Sequence, residues 1–145
     1  MLVISWNSRG LGGARRRRQL HKLIDKCRPN VLLSQETKLK YMDVSFIITF
    51  WGSGPIDFAF SPSNGRSGGL LTKWDSFVIL RYILDISFRF ITMNFCGPDS
   101  FLWCLTNVYG PNAYGEKEEF LNSLSTIVSR VGIPWRGDGD FKMVR

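Results

Sequence analysis

Two strand–helix–strand segments, one near each end of the chain, constrain this sequence more than any other feature. Residues 2–6 (Leu-Val-Ile-Ser-Trp) form a short apolar, β-branched run that reads as a buried strand. Asn7-Ser-Arg-Gly-Leu-Gly-Gly13 follows as a turn-rich loop. Helical spacing over 14–26 then sets Leu20, Leu23, Ile24 and Cys27 on one face, and Pro29 with Asn30 stops it. Residues 31–35 (Val-Leu-Leu-Ser-Gln) give a second buried strand. Such a unit has parallel strands and a right-handed crossover. The second unit repeats the order: a strand at 101–108, a helix at 116–131 with Phe120, Leu121, Leu124, Ile127 and Val128 inward, and a strand at 134–141. Parallel strands end on a common edge, where open α/β sheets place their chemistry. Asn7 and Glu36 are expected on one such edge, and Tyr109 and Asp140 on another facing it.

Between the two units the pattern changes. Residues 46–51, 56–60, 69–74, 77–84 and 87–95 read as successive strands leading into 101–108. Ser53-Gly-Pro55, Pro62-Ser-Asn-Gly65 and Gly97-Pro-Asp99 supply turns. The expectation is an antiparallel meander inside an α/β protein. With 145 residues, 44% of them hydrophobic, the chain can bury one core and is read as one domain, 1–145.

Charge and cysteine usage narrow the function. A formal net charge of +7 suits a polyanionic partner. Cys27, Cys96 and Cys104 form neither a CxxC pair nor an even set, which argues against a disulfide framework or zinc site and for a reducing compartment. The N-terminal apolar run is too short for a signal-peptide core. The stretch 77–95 is interrupted by Arg81, Asp85 and Arg89, so it does not read as a membrane span. The expected setting is intracellular, nuclear or cytoplasmic and not secreted, with no obligate protein partner.

Five segments carry a resemblance: Ser5-Trp-Asn-Ser-Arg-Gly-Leu-Gly12, Leu33-Ser-Gln-Glu-Thr-Lys38, Ser67-Gly-Gly-Leu-Leu71, Thr106-Asn-Val-Tyr-Gly-Pro-Asn112 and Gly139-Asp-Phe141. In this order they resemble the Trp-Asn, Gln-Glu-Thr, Ser-Gly-Gly, Asn-x-Tyr-x-Pro and Gly-Asp-Phe-Asn blocks of the endonuclease/exonuclease/phosphatase (DNase I-like) family. The first block looks most like plant LINE-type retrotransposon endonucleases. The resemblance implies a four-layer α/β sandwich of two mixed, largely antiparallel sheets. It implies hydrolysis of DNA phosphodiesters with Mg2+ (or Mn2+), a hard cation that takes few oxygen ligands from protein. Glu36 would be the principal metal ligand, with Asn7 beside it. Asp140 would orient or deprotonate the attacking water, Tyr109 would hydrogen-bond the scissile phosphate, and Asn112 would contact the DNA backbone.

Arg15, Arg16, Arg17 and Arg18 sit in the first turn of the first helix, where cations oppose the helix dipole. With Arg9 they are candidates for a phosphate-contacting rim. His21 matches no catalytic position and reads as a boundary residue.

Two departures point to an impaired copy. Lys142 stands where the family has asparagine, so a cation replaces a group that both donates and accepts hydrogen bonds. The sequence given ends at Arg145, and the family's closing Ser-Asp-His block has no counterpart in it. The expectation is a truncated domain with an open edge and weak or no activity. A third oddity is Arg136-Gly-Asp138 in the expected last strand, which calls for an exposed edge or for relaxed selection. The competing readings are a non-catalytic fragment that binds nucleic acid weakly, and a phosphatase of a small phosphorylated molecule.

Overall fold

The computed structural model describes residues 1–142. Among them the elements run β1 (Val3–Asn7), α1 (Ala14–Cys27), β2 (Val31–Gln35), α2 (Val44–Trp51), β3 (Asp57–Asn64), β4 (Ser67–Trp74), β5 (Ile79–Ile86), β6 (Phe90–Cys96), β7 (Leu102–Tyr109), α3 (Lys117–Ser129) and β8 (Trp135–Asp140). The strands form two four-stranded sheets, ordered β1-β2-β4-β3 and β5-β6-β7-β8. Both expected parallel pairs are present. β1 runs beside β2 with Asn7 opposite Gln35, and β7 beside β8 with Tyr109 opposite Asp140. The remaining pairs are antiparallel.

Alternation along the strands explains the layering. Val31 and Leu33 of β2 join Ile91, Met93 and Phe95 of β6 and Leu105 of β7 in the core between the sheets. The intervening Leu32 faces the other way and packs with Leu20 and Ile24 of α1 and with Ile47 and Phe50 of α2. On the outer face of the second sheet, Phe90 and Val108 meet Phe120 of α3, with the Phe90 and Phe120 rings stacked at 5.3 Å. The result is helix, sheet, sheet, helix. No helix among the described residues is long and apolar enough to cross a membrane.

Three expectations need correction or refinement. The run 46–51 is not a strand but the body of α2. The Asp43 carboxylate accepts the Phe46 N–H at 2.8 Å and caps the helix. Ile47 and Phe50, three apart, are buried, while Ile48 and Thr49 between them face solvent. Burial of that stripe outweighs the weak helix propensity of a β-branched, aromatic sequence.

The middle segment is not one meander. The β3–β4 hairpin belongs to the first sheet, with β4 between β2 and β3, whereas β5–β6–β7 meanders in the second. The chain changes sheet at Asp75, whose N–H donates to the Asn30 carbonyl at 3.0 Å and whose carboxylate accepts the Phe77 N–H at 2.9 Å. The strand expected at 87–95 begins only at Phe90, because Ser87 and Phe90 close a turn on each other.

Arg136 is exposed, and its guanidinium binds Asp138 Oδ2 through Nε at 3.2 Å and Nη2 at 2.7 Å. β8 is an edge strand among the described residues, so the charged pair keeps its access to solvent.

One cation is buried among the described residues. Lys73 of β4 is fully enclosed, its ammonium 4.3 Å from the Trp51 ring centre and donating to the Pro55 and Trp74 carbonyls. Desolvation, only partly offset by Asp57 and Asp75, lowers its pKa from 10.5 to about 8. Below about pH 8 both folded and unfolded chains hold the proton, and the full burial cost is present. Between about 8 and 10.5 the unfolded chain binds a proton that the folded chain does not, so this group makes stability rise with pH. Lys73→Met is therefore expected to be the more stable protein at pH 7, with its advantage shrinking towards pH 10. Urea unfolding of both proteins across that range is the check, and an advantage that grows with pH contradicts the assignment.

Candidate active site

The site is built where the two sheets are locked together. Asn107 of β7 is fully buried and points at the first sheet. Its amide nitrogen donates to the Leu71 carbonyl at 3.0 Å and reaches Thr72 Oγ1 at 3.3 Å and the Ser34 carbonyl at 3.4 Å. Its carbonyl accepts Gln35 Nε2 at 2.9 Å, and Gln35 also donates to Ser5 Oγ at 3.1 Å. Two amides thus tie β7 to β1, β2 and β4, and Asn107 has both its donor and its acceptor paired.

The loops past β1 and β2 are then zipped side by side. Ser8, Gly10 and Leu11 donate backbone N–H groups to the carbonyls of Gln35, Glu36 and Thr37 at 2.7–2.9 Å. On the other flank, Thr37 and Lys38 donate to the carbonyls of Gly69 and Gly68 at 3.1 and 2.9 Å. The Ser-Gly-Gly block has a physical reason here. Gly69 has φ +95°, and a Cβ on it would lie 2.1 Å from Thr37 Oγ1, so only glycine lets β4 approach the Gln-Glu-Thr segment.

Glu36 is held in the left-handed region at φ 53°. Arg9, Lys38 and Lys142 share that conformation, so four of the six non-glycine residues with positive φ among the described residues surround one spot. Backbone strain concentrated in this way marks a site that the surrounding structure enforces.

The side chains converge as the strand ends require. Asn7 Nδ2 donates to Asp140 Oδ2 at 2.8 Å, joining the two sheets' edges. Lys142 Nζ lies 3.0 Å from Glu36 Oε1, 3.9 Å from Asp140 Oδ2 and 3.3 Å from the Tyr109 hydroxyl oxygen, to which it donates. It also lies 4.3 Å from the Tyr109 ring centre, and Arg89 stands against the same ring at 5.3 Å. The Lys142 and Glu36 side chains are only 16% and 17% exposed, so this contact is screened far less than a surface ion pair. Burial alone would raise the Glu36 pKa, but the Lys142 ammonium, the Asn7 amide and the Lys38 charge together hold it below the ordinary carboxylate value. Burial works the other way on Lys142, and the Glu36 and Tyr109 contacts overcome it to raise that pKa.

No protein-family model matches the sequence, and no curated protein matches it. Solved structures do. A 3′ phosphatase from Neisseria, solved with a product DNA hairpin, superposes with a TM-score of 0.72 at 19% identity, covering 98% of this chain and 58% of that one. A mannosyl-6-phosphatase from Bacteroides thetaiotaomicron gives 0.70 at 12% identity, over 100% of this chain and 66% of that one. An AP endonuclease from Leishmania major gives 0.62 at 22% identity, over 94% and 54%. The fold is DNase I-like. The chain spans somewhat over half the length of these DNase I-like structures.

The donor chemistry of Asn7 and Glu36, one neutral and one charged oxygen, suits magnesium or manganese. Their surroundings do not. Glu36 Oε1 carries the Lys142 ammonium, and Asn7 Oδ1 accepts the Arg9 N–H at 3.1 Å. No group of three or more His, Cys, Asp or Glu side chains able to hold a metal occurs among the described residues. As folded, these residues do not fit a divalent cation.

The arginine-rich turn behaves unevenly. Helix α1 has no acidic residue in its first turn and no side-chain cap at Gly13. Arg17 turns back, donating to the Leu11 and Gly12 carbonyls at 3.2 and 2.5 Å and packing on the Phe46 ring at 5.1 Å. Arg16 reaches Gln19 at 3.4 Å. Arg9, Arg15, Arg18 and Asn112 are exposed. His21 is also exposed, and its Nδ1 lies 3.0 Å from the Phe50 carbonyl.

Sequence reasoning passed over Asn107, Gln35 and Arg89. Period-2 alternation offered a signal for Asn107, since it lies between Leu105 and Tyr109 on one face of the strand. Replacing Asn107 by leucine strands the Gln35 amide and its neighbours, at an expected cost of roughly 2–4 kcal/mol. Gly69→Ala should cost roughly 3 kcal/mol through strain and overlap. Chemical unfolding of each variant tests this, and changes below about 0.5 kcal/mol, the level of an ordinary surface substitution, contradict the lock.

Proposed function

We propose that this chain is a DNA-directed, DNase I-like endonuclease domain of LINE-type retrotransposon origin, in which metal-dependent phosphodiester hydrolysis is weak or absent. The carrying observation is one cluster at the joined sheet edges, where Asn7, Glu36, Tyr109 and Asp140 meet and Lys142 pairs with Glu36. The residue types suit phosphodiester chemistry: carboxylates to orient water and a phenol hydroxyl to reach a phosphate oxygen. The Lys142 contact supports impairment, because it withdraws Glu36 from other work.

DNA as the partner is supported by the net charge of +7 and by exposed Arg9, Arg15 and Arg18 near the start of α1. The product DNA hairpin named for the Neisseria neighbour supports the same substrate class. The Trp-Asn-Ser-Arg-Gly-Leu-Gly block supports the retrotransposon origin. The Bacteroides sugar phosphatase is a reminder that this fold also serves small phosphorylated molecules. The arginine-rich turn favours DNA over these.

Nicking of supercoiled plasmid, with magnesium and with chelator, tests the catalytic half of the reading. The chain is expected to nick at or near background, and magnesium-dependent nicking abolished by both Glu36→Gln and Asp140→Asn would falsify the impairment. Duplex-DNA binding tests the other half. Affinity should fall steeply as salt rises, and Arg15→Glu with Arg18→Glu should weaken it, whereas salt-independent binding rules out a phosphate-contacting rim.

A further inference from the structure

We propose that Lys142 is the resident cation of this site, its ammonium occupying the position on Glu36 that a divalent ion would need. The inference rests on reading the cluster as a phosphodiester-directed site and adds what keeps it closed. The ammonium has the surroundings of a bound cation. One carboxylate oxygen lies at 3.0 Å and a phenol oxygen at 3.3 Å, a second carboxylate at 3.9 Å, and an aromatic face at 4.3 Å.

The backbone aims it there. β8 ends at Asp140, Phe141 packs beside Phe120 of α3, and Lys142 adopts φ 52°, turning the chain so that its side chain crosses the edge between the sheets. Gly110 fixes that path, since a Cβ on it would lie 2.0 Å from the Phe141 carbonyl oxygen. The end of β7 therefore holds the segment carrying the lysine against the site.

Charge makes the two cations exclusive. A divalent ion on Glu36 would stand within a few ångströms of the ammonium, and two like charges that close in a half-buried setting repel strongly. The ammonium can leave only by abandoning two hydrogen bonds and the Tyr109 face together. A tethered group also competes at high effective concentration, which a free ion must match. The same arrangement predicts what opens the site. Asparagine at 142 is neutral, short and tolerant of the left-handed region, so it removes the cation with little backbone cost. Methionine keeps the stem and removes only the charge.

The test is Mn2+ binding to the full chain, followed by electron paramagnetic resonance. It is run on wild type, Glu36→Gln, Lys142→Asn, Lys142→Met and Lys142→Asn with Glu36→Gln. Wild type and Glu36→Gln should bind equally weakly. Lys142→Asn should bind about tenfold more tightly or better, and the double variant should lose that gain. Lys142→Met should gain in the same direction. Thermal melting of wild type with Mn2+ and with chelator is a second readout that needs no lysine variant, and no shift is expected. The proposal is overturned by wild-type binding or thermal stabilisation that Glu36→Gln removes. Folded Lys142→Asn and Lys142→Met that bind no better than wild type overturn it equally. Metal binding by Lys142→Asn without any nicking would instead count against the phosphodiesterase reading and leave the resident cation standing.

Discussion

The Gln35–Asn107 amide pair is the interaction on which the rest of this molecule depends. It sits beside the apolar core between the two sheets, so it contributes direction where hydrophobic burial is indifferent to register. Asn107 can satisfy both its donor and its acceptor only if β7 lies over β2 and β4 at one offset. That offset brings the carboxyl ends of β1 and β2 opposite those of β7 and β8. Asn7 can then reach Asp140 across the gap, and Glu36 and Tyr109 can share one ammonium. A slip of one residue would turn Asn107 to the helix side and separate the two halves of the site.

Strain is spent in the same place. Glu36, Lys38, Arg9 and Lys142 adopt left-handed backbone around the cluster, while Gly69 removes the side chain that would keep β4 from the Gln-Glu-Thr segment. Ser34 Oγ donates to Ser8 Oγ, and Ser8 Oγ donates to the Gln35 carbonyl, a buried relay that anchors the end of β2 just before Glu36. The order of causes runs from amide lock, to strand offset, to loop zipper, to the orientation of Glu36. Lys142 comes last, because its position depends on where β8 ends and on the path its neighbours allow.

Much of this was legible in the sequence. The two strand–helix–strand units and the parallel pairs follow from apolar periodicity, and the rule that parallel strands end together puts Asn7 with Glu36 and Tyr109 with Asp140; that the four belong to one site was what the family resemblance implied. What was not legible has physical reasons. Residues 46–51 are as β-branched and aromatic as any strand, and only their burial stripe and the Asp43 cap make them helical. The turn at Asp75 that sends β5 to the second sheet has no distinctive composition, so one meander and two sheet segments look alike. Asn107 sits inside a motif whose tyrosine draws attention, and its structural work appears only when both sheets are in place. The charge of Lys142 was visible as an oddity. That it lands on Glu36 depends on a left-handed turn that sequence alone does not specify.

The most direct measurement is nuclear magnetic resonance of the Lys142 side-chain nitrogen at low temperature. A coupling across the hydrogen bond from the Lys142 ammonium to the Glu36 carboxylate carbon, in a slowly exchanging ammonium signal lost in Glu36→Gln, is the result this structure requires. An ammonium that exchanges as rapidly as surface lysines and is indifferent to Glu36→Gln would contradict it.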